Sequence, residues 1–157
     1  MTTKTVSRRS FLKLTGLVGG AFLLTSCEFS DRLMGVSDTP LPQIADAWKL
    51  TGSTLTLDLA KLPEIADLGG AVRIEGDALA DPLLVIQGED GNYYAFKNAC
   101  THAGRKIDMV AGTMTLECCS VSSSTFDYEG NVLSGPAKEG LTSYALTVDG
   151  EMLTIEL

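Results

Sequence analysis

From Thr54 onward the chain runs in short apolar bursts of strand length. Thr54-Leu55-Thr56-Leu57-Asp58-Leu59 sets a leucine at every second position, the period that turns one face of a pleated strand inward. Ala71-Val72-Arg73-Ile74, Leu83-Leu84-Val85-Ile86, Tyr93-Tyr94-Ala95-Phe96 and Thr113-Met114-Thr115-Leu116 are alternating or continuous runs of β-type composition. Tyr144-Ala145-Leu146-Thr147-Val148 and Met152-Leu153-Thr154-Ile155 follow, joined by Asp149-Gly150. Glu89-Asp90-Gly91-Asn92 and Glu129-Gly130-Asn131 are further tight reversals. No segment has a convincing helical period, and neither an internal repeat nor a low-complexity tract is present. Short strands at this spacing predict an antiparallel all-β sandwich or barrel.

The first thirty residues follow a different pattern. Ser7-Arg8-Arg9-Ser10-Phe11-Leu12-Lys13 leads into an uncharged apolar run that ends at Leu24-Thr25-Ser26-Cys27. The run is interrupted by Gly16, Gly19 and Gly20 and falls short of the ~20 apolar residues a membrane span needs. It reads as an export signal, and the arginine pair resembles the twin-arginine signal. Leu24-Thr25-Ser26-Cys27 resembles a lipobox, which implies cleavage before Cys27 and lipid on its sulfur. The expected organisation is a signal peptide over 1–26, a flexible tether over 27–47 carrying Pro40 and Pro42, and one domain over 48–157. The twin-arginine route carries folded proteins, so folding is expected to precede export.

Loss of residues 1–26 removes Lys4, Arg8, Arg9 and Lys13, leaving 8 basic against 20 acidic residues and a net charge of −12. That balance argues against a nucleic-acid partner. Apart from Cys27 the chain has Cys100, Cys118 and Cys119, an odd number that does not read as a disulfide framework.

Two segments break the pleated alternation. They are Cys100-Thr101-His102-Ala103-Gly104 and Cys119-Ser120-Val121-Ser122-Ser123-Ser124-Thr125-Phe126-Asp127, with residues 103–118 between His102 and Cys119. Together with Gly135-Pro136-Ala137 they resemble the two boxes of the Rieske 2Fe-2S family, Cys-x-His and Cys-x-x-His-Gly-Ser-x-Phe-Asp, over roughly residues 48–157. The resemblance implies a Rieske-like antiparallel sandwich or barrel with two cluster-binding loops at one end. In that family one iron is held by two cysteines and the other by two histidines.

The departures bear directly on the chemistry. Aligned on Phe126-Asp127, the second histidine of the pattern is Ser122 and the following glycine is Ser123; His102 is the sole histidine in the chain. The positions of the disulfide clamp found in high-potential members are Arg105 and Val121, and Phe126 stands where many respiratory members have tyrosine. Cys118, next to Cys119 at a strand end, is expected to face the opposite way as a small buried hydrophobe. Turned inward, it would complete a Cys3His set suited to zinc.

Together with the export signal and the lipobox at Cys27, the resemblance implies a lipid-anchored electron-transfer protein on the outer face of a bacterial membrane. It would act as an oxidoreductase subunit rather than a stand-alone enzyme. Cys100, His102 and Cys119 would hold a labile 2Fe-2S cluster, with Ser122, Cys118 or water as the fourth ligand. Its partner would be a redox protein, a basic cytochrome or a membrane oxidoreductase complex. Two alternatives stay open: a cofactor-free structural or interaction lipoprotein, and the Cys3His zinc site.

Overall fold

The structure is a computed structural model, and it describes residues 37–157. The signal peptide, Cys27 and the first part of the tether lie outside the described residues. Along the chain come β1 (Trp48–Thr51), β2 (Thr54–Asp58), two 3-10 turns (Leu59–Lys61 and Pro63–Ile65), β3 (Ala71–Ile74), β4 (Leu83–Gln87) and β5 (Tyr93–Lys97). They are followed by β6 (Ile107–Val110), β7 (Thr115–Cys118), β8 (Thr125–Asp127), β9 (Val132–Ser134), β10 (Ala145–Asp149) and β11 (Met152–Glu156).

These strands form three antiparallel sheets, ordered β1-β2-β11-β10, β3-β4-β5 and β6-β7-β8-β9. The all-β expectation holds. The run read as Thr113–Leu116 is strand from Thr115 onward, because Thr113 N–H and Oγ1 both bond the Val110 carbonyl and close a turn instead.

The middle sheet explains the uninterrupted apolar run. Leu83 and Val85 point into one core with Leu55, Leu57, Val72, Ile74, Ala95, Leu153 and Ile155. Leu84 and Ile86 point into a second core with Phe96, Ile107, Leu116 and Phe126. Successive side chains of a strand face opposite sides, so a strand covered on both faces must be apolar throughout. Burial of each such side chain contributes about 1.5–3 kcal/mol. The second core lies beneath the two loops that carry the cysteines.

The described part of the segment read as a tether packs against the domain. Arg73 N–H donates to Pro40 O at 2.8 Å, and Ser37, Thr39 and Ala47 are buried. The physical reason is Asp108 on β6, 0% exposed, which needs donors. Ser37 Oγ bonds its Oδ1, Asp38 N–H reaches its Oδ2 at 2.8 Å, and Thr39 N–H and Oγ1 reach Oδ1 at 3.0 and 2.6 Å.

Candidate functional site

The first loop leaves β5 through Asn98, 2% exposed, whose Oδ1 accepts Ile107 N–H at 2.7 Å and whose N–H donates to Pro82 O at 2.8 Å. The loop then closes on itself. Cys100 N–H donates to Arg105 O and Gly104 N–H to Cys100 O, both at 2.7 Å. Gly104 has φ +64°, so glycine in the first box serves a backbone need. Thr101 Oγ1 donates to Glu139 O at 2.7 Å. Cys100 is buried, whereas His102 is exposed and lines an open cleft of about 370 Å³ with Thr101, Pro136, Lys138 and Glu139.

The second loop starts where β7 ends and is held by hydroxyl and backbone bonds. Cys119 N–H donates to Lys106 O at 2.8 Å, which sets this loop beside the first. Cys118 N–H donates to Ser124 O, and Ser123 Oγ donates to Cys118 O, both at 2.9 Å. Ser120 Oγ donates to the Ser122 carbonyl at 2.9 Å, leaving Ser122 exposed. Ser124, 0% exposed, accepts Ala137 N–H at 3.0 Å. A Cβ on Gly135, whose φ is +95°, would lie 2.4 Å from Ser123 O, so Gly135 lets its segment lie flat on the loop.

The three cysteines divide between two environments. Cys118 lies in the second core with Cys100. Burial, above all, pushes the Cys118 thiol up to about 11; Cys100 adds in the same direction, and the Ser120 hydroxyl at 3.3 Å opposes. Cys119 faces the other way; its sulfur is disulfide-bonded and lies 3.1 Å from Asp108 Oδ2, and Asp108 makes further contacts. Strand alternation accounts for this split. Asp108 is the site residue that sequence reasoning missed.

The Rieske [2Fe-2S] domain family matches residues 59–145, and the chain belongs to that family. The assignment supports a Rieske-type electron-transfer role. Among solved structures, the cyanobacterial plasma membrane Rieske protein PetC3 from Synechocystis PCC 6803 is 27% identical, with 56% of this chain and 87% of that one covered and a TM-score of 0.49. The ferredoxin of carbazole 1,9a-dioxygenase from Nocardioides aromaticivorans IC177 is 26% identical over 57% of this chain and 86% of that one, TM-score 0.46. A quaternary ammonium Rieske monooxygenase is 16% identical, TM-score 0.50, with 59% of this chain and 28% of that one covered; that likeness is of fold alone. No curated protein compared with the chain matches it.

The family's 2Fe-2S centre takes two thiolates and two imidazoles. Here the chain has one histidine, His102 is exposed, Ser122 is exposed, and the sulfurs of Cys100 and Cys119 turn to different neighbours. No cluster of three or more His, Cys, Asp or Glu able to hold a metal ion occurs among the described residues. As arranged, these side chains do not fit a four-ligand Rieske centre.

Proposed function

We propose that the chain is an electron-transfer protein of Rieske type, exported by the twin-arginine route and tethered by lipid on Cys27 to the outer face of a bacterial membrane. The observation that carries the redox role is the family match, which spans both boxes. The adjacency of the two loops supports it. Cys100, His102 and Cys119 are the positions of the family's ligands, with Ser122, Cys118 or water to complete the set. Using Cys119 requires reduction of the disulfide its sulfur makes, after which the sulfur must leave Asp108 and turn toward Cys100. The mature charge of −12 suits a basic redox partner or a membrane oxidoreductase complex.

Iron and acid-labile sulfide in anaerobically purified full chain test this reading. Both should be present and should fall to background in Cys100→Ala; background levels in the unaltered protein would overturn it. For the tether, the full chain should partition into detergent and Cys27→Ser should not. An unmodified Cys27 in membrane-extracted protein would contradict the lipid anchor.

A second reading, a cofactor-free Rieske-fold lipoprotein serving as a structural or interaction subunit, is favoured by one observation. The loops are already closed by the Ser120, Ser123 and Ser124 hydroxyls, with Cys100 and Cys118 both buried in the second core.

A further inference from the structure

We infer that Cys100 and Cys118 form a dithiol/disulfide couple that ties the two loops together. Both are free thiols, and both are buried in the same core cluster, the second one. The backbone holds them there. Cys100 N–H bonds Arg105 O, Cys119 N–H bonds Lys106 O, and Cys118 pairs with Ile107 in the β6–β7 ladder, so the two cysteines flank the stretch 105–107 from either side. A disulfide requires such a preset approach, because widely separated or diverging cysteines cannot be bridged without backbone movement. Cys119 does not compete for the position, since its sulfur lies against Asp108 on the opposite face. A link at 100–118 would join the same two loops as the family's clamp, whose positions here are Arg105 and Val121.

The oxidant is an external disulfide, either a small-molecule disulfide or that of a thiol-oxidising protein. Cys100 borders the exposed stretch Thr101–Arg105, so its thiolate makes the first attack. That attack forms a mixed disulfide and releases one thiolate. The Cys118 thiolate then attacks the Cys100 sulfur, forming the internal disulfide and releasing the second thiolate. Two electrons pass from the pair to the external disulfide, and the two protons lost by the cysteines go to the two leaving thiolates. This goes beyond the cluster reading, because the sulfur that Cys100 would give to iron is committed to Cys118.

The test uses the full chain in glutathione redox buffers, quenched with N-ethylmaleimide and mapped by peptide mass spectrometry, with iron and sulfide measured on the same samples. Oxidising buffer should remove two alkylatable thiols and yield a Cys100–Cys118 linked peptide, and dithiothreitol should restore both. In Cys118→Ala the reaction should stop at glutathione on Cys100. Cys100 and Cys118 both alkylated in oxidising buffer, or Cys100 linked to Cys119, would overturn the couple. Iron and sulfide without a link would overturn it and leave the cluster reading standing; a link without iron would do the reverse. The unaltered chain gives the decisive peptide even where the variant fails to fold.

Discussion

At one end of the domain the β4–β5 and β8–β9 reversals are closed by carboxylates. Asp90 accepts Asn92 N–H at 3.0 Å, Asn92 Nδ2 at 2.7 Å and Tyr94 Oη at 2.8 Å, while Asp127 accepts Glu129 N–H at 3.0 Å and Asn131 N–H at 2.8 Å. Gly91 and Gly130 supply φ +79° and +88° there. At the other end, the loops after β5 and β7 are closed by partners distant in sequence: Thr101 by Glu139, Cys119 by Lys106, Ser124 by Ala137. The first end is local turn chemistry on an exposed surface. The second is tertiary structure over a buried thiol pair, and it therefore depends on the core beneath it.

Substitutions can separate the two ends, and the largest effect should come from the shared core. Phe126 is 0% exposed in the second core, so Phe126→Ala should lower unfolding free energy by about 3–5 kcal/mol in urea titrations. Hydrogen exchange should show the loop end opening with the core. A loss under 1 kcal/mol would break the claim that the loops rest on it.

Ser124→Ala leaves the buried Ala137 N–H without its acceptor and should cost about 1–3 kcal/mol. Alkylation of Cys100 and Cys118 should accelerate, while the turn end stays unchanged. Equal rates in variant and unaltered protein would show that Ser124 does not hold the second loop.

The smallest effect lies at the turn end. The hydrogen bond to Asp90, chiefly, raises the Tyr94 phenol to about 12, and the bond to Tyr94, chiefly, lowers the Asp90 carboxyl. A phenol raised when folded favours folding below its ordinary pKa near 10 and loses that contribution as pH climbs through about 12. The window for Asp90 is the acidic side, below its ordinary 3.8. Asp90→Asn should bring Tyr94 down toward 10 in ultraviolet titration without altering thiol reactivity; an unmoved phenol would refute the pairing.

Much of the fold was legible because its signals are local. Leucine alternation at Leu55 and Leu57 marked β2, the run Leu83–Ile86 marked β4, and Gly91 and Gly150 marked hairpins. Trp48–Thr51 and Ile107–Val110 were not read as strands, because four residues each are too few for a pattern to stand out; their identity comes from pairing with Leu55, Leu57 and Leu116. At the site, opposite facing of Cys118 and Cys119 follows from strand geometry. The neighbours they face do not: Asp108 is buried with donors from Ser37 and Thr39, about seventy residues upstream, and no local pattern announces such a contact. The packing of residues 37–40 was hidden for the same reason.

On the proposed function, the second loop is a Rieske half whose imidazole position is taken by Ser122. Ser122→His restores that imidazole in a loop still shaped by Ser124 and Phe126. Electron paramagnetic resonance of the anaerobically purified variant, with iron and sulfide assayed alongside, tests it directly. The variant should hold more iron and sulfide than the unaltered chain and give a Rieske-like signal. Iron and sulfide no higher than in a Cys119→Ala control would contradict the placement of Ser122.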